Sequence, residues 1–140
     1  MKTLVAPALR LSHTDLQSLV RYARIVRYGG EEVVEHDGQV PAGMGFLVAG
    51  RVRLTATAED GSTVPVGTLG EGAFLGLTAL TRQPNPGDAY ALEEVTALEI
   101  DREHLERLMM SKPMLLQDLG RLIDERQEKA DRATRRDRVE

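Results

Sequence analysis

The residue types that most often carry chemistry are few and scattered in this sequence. The histidines His13, His36 and His104 lie in distant segments, and no two of them have the spacing of metal ligands. The absence of cysteine removes thiolate catalysis, cysteine-based zinc sites and disulfides together. Glu93 and Glu94 are adjacent, and neighbours in a strand point to opposite faces, so they cannot form a general acid and base pair. The sequence therefore predicts no catalytic residues, no metal site and no enzyme.

The composition is that of one soluble domain. The chain has 140 residues, of which 41% are apolar and 29% are charged, which is ordinary for a globular protein. A net charge of -4 argues against non-specific binding to nucleic acid, which usually needs a basic surface. No apolar run approaches the roughly 18 residues of a membrane span, and residues 1–11 lack a signal-peptide core. We expect a cytoplasmic protein, or the cytoplasmic domain of a membrane protein whose membrane part lies outside this sequence.

Three zones of structure follow from the residue patterns. Residues 9–24 favour a short helix with Ser12 as its N-cap, and residues 101–125 favour two helices that begin at Asp101 and Ser111. Between them, short apolar runs alternate with glycine-containing turns, which is typical of a barrel, roll or sandwich. The candidate strands are Arg24–Tyr28, Glu32–Glu35, Gly45–Ala49, Arg51–Thr57, Thr63–Leu69, Ala89–Leu92 and Ala97–Ile100.

Glycine-containing motifs recur in a fixed order through the strand-rich zone. They are YGGEEVVEHDG at residues 28–38, GFLVAGRVRLT at 45–55, DGSTVPVGTLGEGAFLGLTAL at 60–80 and ALEEVTALEIDREHLERLM at 91–109. In this order they resemble the cyclic-nucleotide-binding domain of bacterial catabolite-activator regulators, protein kinase A regulatory subunits and nucleotide-gated channels. The resemblance implies a mainly β fold: an eight-stranded antiparallel β-roll of the double-stranded β-helix or jelly-roll type, with an N-terminal helix and the family's C-terminal helices B and C. A different β fold such as a cupin, with a metal-dependent enzyme activity, would need the clustered histidines that this chain lacks.

The resemblance also implies a ligand-binding cassette at residues 74–89. In the family, backbone N–H groups of a short helix face the cyclic phosphate, a Glu accepts the ribose hydroxyl, and an Arg neutralises the phosphate. Here Leu77 stands at the position of the Glu, Asn85 at that of the Arg, and Asp88 near that of a Thr or Ser. The candidate ligand-binding residues are Gly76, Leu77, Thr78, Ala79, Arg82, Asn85, Asp88 and Ala89.

These departures predict a degenerate phosphate-binding cassette. Losing one charge-assisted hydrogen bond costs about 1.5–3 kcal/mol, against a total of about -8 kcal/mol for a micromolar ligand. Binding of cyclic AMP or cyclic GMP in the family's usual mode is therefore not expected. Arg82 offers two alternatives, since it could turn into the cassette and supply a cation or remain an exposed loop residue.

The end of the chain suggests how a signal would leave the domain. We expect a cyclic-nucleotide-binding-like domain at residues 9–125 and a charged helical extension or tail at 126–140. The last apolar helix could pack on its own roll or pair with a second copy of the chain. The resemblance implies a regulatory module that senses a small molecule, with no other cofactor, and relays occupancy through the C-terminal helices to an effector domain or partner protein. That effector would belong to a larger protein, with a membrane channel or transporter as one option, and a non-binding scaffold for protein contacts is the alternative.

Overall fold

The computed structural model describes residues 13–136, and its elements follow the predicted order of helix, strands and helices. The expected N-cap Ser12 and residues 9–11 lie outside the described residues. The elements are α1 (His13–Tyr22), β1 (Arg24–Tyr28), β2 (Val33–Glu35), β3 (Gly43–Ala49), β4 (Val52–Thr57), β5 (Thr63–Leu69), β6 (Phe74–Leu75), β7 (Ala89–Ala91), β8 (Val95–Asp101), α2 (Arg102–Ser111) and α3 (Met114–Arg136).

The strands form two four-stranded sheets, with orders β1-β8-β3-β6 and β2-β7-β4-β5. Every pairing is antiparallel, and each sheet combines strands from distant parts of the chain. The predicted eight-stranded antiparallel β-roll is therefore confirmed. The residue pattern revealed only seven of the strands, because β6 has two residues and is too short for an alternating pattern to show.

Two apolar clusters hold the fold together. The first lies inside the roll and consists of Leu47, Val52, Leu54, Leu75, Ala89, Ala91, Val95 and Ala97. The second joins the roll to the C-terminal helices and consists of Met44, Leu77, Leu105, Leu115 and Leu119. Burying one leucine side chain contributes about 1.5–3 kcal/mol, so the second cluster fixes α2 and α3 against the cassette.

Two local predictions at turns are wrong. Ser111 ends α2 instead of capping the next helix: its hydroxyl donates to the carbonyl of Leu108, and α3 starts at Met114, after Pro113. Glu93 and Glu94 lie in the turn between β7 and β8 and not within a strand, because β8 begins at Val95. Both carboxylates are exposed in this turn.

The helix α3 passes through the expected domain boundary, which lies between residues 125 and 126. It is one continuous helix of 23 residues that packs on β4, β5 and the cassette. The division at residue 125 stays a prediction. Among the described residues, no helix is long and apolar enough to cross a membrane.

Candidate functional site

The cassette begins where β6 turns into a short 3₁₀ helix, Leu77–Ala79. Gly76 makes this turn with φ of 68°, in the left-handed region that favours glycine. A Cβ at this position would also collide with the backbone carbonyl of Gly43 on β3. Gly76, Leu77, Thr78 and Ala79 are all buried, so the turn is held tightly against the roll.

Leu77 stands in an apolar environment. Its side chain is 8% exposed and belongs to the cluster that joins the roll to α2 and α3. A carboxylate at this position would lose its solvation among the apolar side chains of that cluster. Position 77 in this chain therefore suits a leucine and not a ribose-binding glutamate.

The side chains of Asn85 and Asp88 form hydrogen bonds with the backbone of the loop between β2 and β3. Asn85 is 5% exposed, its side-chain amide donates to the carbonyl of His36 at 3.1 Å, and its backbone N–H donates to the carbonyl of Gln39 at 2.8 Å. The Oδ1 atom of Asp88 accepts the backbone N–H of Asp37 at 2.7 Å. Both side chains satisfy backbone groups of the fold. Ala89 is fully buried as the first residue of β7, within the roll core.

Arg82 is directed away from the cassette interior. Its backbone has φ of 57°, its side chain is 61% exposed, and Nη2 lies 3.3 Å from Oε2 of Glu106 on α2. Exposed ion pairs of this kind contribute about 0–1 kcal/mol. Arg82 thus lies on the surface between the cassette loop and α2, as an exposed loop residue and not as a cation inside the cassette.

A buried carboxylate that the sequence reasoning missed lies at the start of the cassette. Glu35, the last residue of β2, is 5% exposed, and its Oε2 accepts the backbone N–H of Gly76 at 2.6 Å. Its Oε1 lies 2.8 Å from Nη1 of Arg126 on α3, as an ion pair without the alignment of a hydrogen bond. The side chain of Arg126 is itself only 11% exposed. One carboxylate therefore joins the cassette backbone to the C-terminal helix.

The sequence did contain a signal for this pair. Leu115, Leu119 and Leu122 recur at helical spacing, and Arg126 follows four residues later on the same face. A cation that continues the apolar face of a helix needs a partner inside the protein. Because Arg126 was assigned to the charged tail, no buried partner was predicted for it.

A cavity of about 290 Å³ lies between the cassette and α3. Thr78 lines it, is 6% exposed, and its hydroxyl has no hydrogen-bond partner within residues 13–136. Arg126 lines the same cavity from the helix side. The other lining residues are Leu77, Gln83, Pro84, Pro86, Ile123, Asp124 and Gln127. Any molecule held here would touch both the cassette and α3.

A second cavity, of about 320 Å³, is lined by Glu35 and Gly76 and extends towards β1 and β8. Tyr28 and Glu99 also line it, with the phenol oxygen 3.3 Å from the carboxylate. Burial and then the charge of Glu99 raise the pKa of Tyr28 to about 12. Of the described residues that line this cavity, none is lysine or arginine, and two, Glu35 and Glu99, carry carboxylates.

The histidines do not come together in the described part of the chain. His36 is exposed in the loop after β2, and the side chain of His13 lies outside the described residues. His104, in the first turn of α2, lies 2.8 Å from the carboxylate of Asp101 and stacks on Tyr22. Asp101 is the N-cap of α2, as predicted, and accepts the backbone N–H of His104 at 3.0 Å. Among residues 13–136, no group of three potential ligands is placed to hold a metal ion.

Comparison with known proteins agrees with this architecture. The family model of the cyclic nucleotide-binding domain matches residues 25–112, which is more than half of the chain. The chain belongs to the cyclic nucleotide-binding domain family. This is a family of regulatory ligand-binding domains. No curated protein matches the sequence.

Solved structures show the same fold at low sequence identity. The catabolite activator protein of Thermus thermophilus is 23% identical, with a TM-score of 0.74 over 87% of this chain and 58% of that one. The N-terminal domain of a transcriptional regulator from Streptomyces coelicolor A3(2) is 21% identical, with a TM-score of 0.72 over 95% of both chains. A cyclic nucleotide-binding domain from Methylobacillus flagellatus is 18% identical, with a TM-score of 0.74 over 92% of this chain and 80% of that one. This chain therefore spans less than two thirds of the Thermus protein.

Proposed function

We propose that this chain is a non-enzymatic sensor domain that relays the binding of a small molecule through α3 to an effector. The observation that carries the proposal is the cavity between the cassette and α3, lined by Thr78 on one side and Arg126 on the other. A ligand that fills it makes contacts with both elements at once. Its binding energy then depends on where α3 lies, which is what coupling between a ligand and a helix requires.

We further propose that the cassette does not hold cyclic AMP or cyclic GMP in the family's usual mode. Leu77 is part of an apolar cluster, and Asn85 is used by the backbone of the neighbouring loop. Arg82 pairs with Glu106 on the surface. Arg126 is the arginine among the described residues that line the cavity. Its guanidinium is already neutralised by the carboxylate of Glu35. The phosphate of a cyclic nucleotide would thus meet no free cation there.

In this proposal the domain and its effector belong to one larger protein. That parent protein is either cytoplasmic or a membrane protein whose cytoplasmic part contains this domain. The membrane channel or transporter remains one option for that parent protein. Pairing of two copies through α3 stays a prediction, and Leu116 is an exposed apolar residue on this helix. We assign no nucleic-acid partner to this chain.

Thermal unfolding with millimolar cyclic AMP or cyclic GMP tests the proposed loss of the usual mode. A ligand at 100 times its dissociation constant adds about 2.7 kcal/mol, which in a domain of this size raises Tm by several degrees. We expect no rise with either nucleotide. A clear rise that Arg82→Ala abolishes would show that the loop arginine supplies the missing cation and would overturn this part of the proposal.

A non-binding scaffold for protein contacts is the second candidate function. The observation in its favour is that the Glu35–Arg126 pair, made by the chain's own residues, joins α3 to the cassette. A library of uncharged and charged small molecules screened by the same unfolding assay separates the candidates. A ligand whose effect is lost in Thr78→Val supports the sensor, and a complete lack of ligands supports the scaffold.

A further inference from the structure

We infer that Glu35 acts as an internal counter-ion, which holds α3 closed on the cassette and excludes anionic ligands from it. The inference rests on the proposed function, since it names what controls the same site. It starts from the position of the carboxylate, which reaches two donors in two different elements. One is the backbone N–H of Gly76, and the other is the guanidinium of Arg126.

Each of the two donors is of a kind that binds anions, and each lines one of the two cavities beside the cassette. The amide of Gly76 stands at the entry to the cassette turn, and the guanidinium lines the cavity between the cassette and α3. Both favour negative charge, and an arginine in particular recognises carboxylates and phosphates in the same geometry. The carboxylate of Glu35 accepts the amide and neutralises the guanidinium, so a ligand with a phosphate competes with it at both groups. An uncharged ligand has no such competitor.

The same pair fixes the helix. Glu35 and Arg126 are both removed from water, with side chains 4% and 11% exposed. A buried pair of this kind contributes little over an apolar pair, but removing one partner leaves the other charge without compensation, which is strongly unfavourable. The helix can leave the cassette only if both groups are rehydrated or if another charge replaces one of them. The pair therefore links the position of α3 to the charge state of the cassette.

Hydrogen–deuterium exchange of the full chain without ligand tests the closing role. We expect Glu35→Gln and Arg126→Met each to speed exchange in the second half of α3 on the order of a hundredfold. The double variant should exchange more slowly than either single variant, because it buries no uncompensated charge. This comparison remains informative if a single variant is poorly folded. Arg132→Met is the matched control, because Arg132 lies on α3 in an exposed pair with Glu128, and we expect less than about a threefold change.

Calorimetric titration tests the exclusion of anions. We expect Glu35→Gln to bind cyclic AMP at least about tenfold more tightly than the wild-type chain, because Arg126 is then free to meet the phosphate. Adenosine, which lacks the charge, should bind both proteins equally. Equal binding of cyclic AMP to both proteins would overturn the exclusion of anions.

Unchanged exchange of α3 in both single variants would overturn the closing role. The exchange experiment contains no ligand, so its result is independent of whether the domain senses one. If the sensor proposal alone fails, no ligand will be found for the domain. The exchange of α3 will nevertheless still change when the Glu35–Arg126 pair is broken. The two failures are therefore distinguishable.

Discussion

Replacing Leu77 tests whether this residue, which the family resemblance predicts to lie at the ribose position, has a structural role. Leu77 is 8% exposed within the cluster that includes Leu105 and Leu119. Truncating a buried leucine to alanine costs about 2–5 kcal/mol. For a chain of this size each kcal/mol lowers Tm by roughly 3–4 °C, so we expect Leu77→Ala to lower Tm on the order of 10 °C. Leu116→Ala is the matched control, since Leu116 is 52% exposed on α3 and should change Tm little.

Restoring the family's glutamate at this position should be worse than the alanine. Leu77→Glu loses the same apolar contacts and in addition buries a carboxylate, which costs several kcal/mol more. The guanidinium of Arg126 lines the same cavity but already neutralises Glu35. The total approaches the roughly 5–15 kcal/mol by which domains are stable, so we expect a largely unfolded protein. Urea unfolding followed by circular dichroism measures both variants, and a Leu77→Glu protein as stable as the wild type would refute the reasoning.

Three further predictions concern the fold and its titrating groups. Gly87→Ala should fail to fold, because the added Cβ would overlap a backbone carbonyl of β4. Gly67→Ala is the matched control, because nothing lies within 4 Å of its Cβ, and its circular dichroism spectrum should be close to that of the wild type. The pKa of Asp101 is lowered from 3.8, chiefly because its carboxylate accepts the backbone N–H of His104. Asp101→Ala should therefore be less stable than the wild type above pH 3.8, and the difference in free energy of unfolding should vanish as pH falls through the folded-state pKa. The pKa of Tyr28 is raised to about 12 by burial and by Glu99, so its contribution to stability is full below pH 10 and is lost as pH rises towards 12; an ultraviolet titration of Glu99→Gln should show this phenol ionising at lower pH.

The order of elements could be read from the sequence because its signals are local. Turn glycines such as Gly38 and Gly50 have positive φ, which few other residues adopt, and they mark the ends of strands without reference to the rest of the molecule. The alternation of Val52 and Leu54 likewise reports a half-buried strand. With the order of the motifs, these features predicted the roll and its flanking helices.

The interior of the cassette could not be predicted in the same way. The contact between Glu35 and Arg126 joins residues 91 positions apart, and although Glu35 lies in the motif at residues 28–38, no motif includes Arg126. For Leu77 and Asn85, the family resemblance predicts which ligand contacts are missing but not what replaces them. Their replacements are packing and backbone hydrogen bonds, which depend on how the loop and the helices meet in three dimensions. The residue types indicate that Arg126 needs a buried partner, but only the fold shows which residue that partner is.

The resonance of the Gly76 amide in a two-dimensional NMR titration tests the central claim most directly. If its N–H donates to the carboxylate of Glu35 at 2.6 Å, the resonance should lie far downfield, shift in Glu35→Ala, and stay unchanged when millimolar cyclic AMP is added to the wild-type protein. Arg132→Met should leave it in place. A saturable shift of this resonance with cyclic AMP in the wild-type protein would contradict the account, because it would show that a nucleotide reaches the donor that the chain's own carboxylate is claimed to hold.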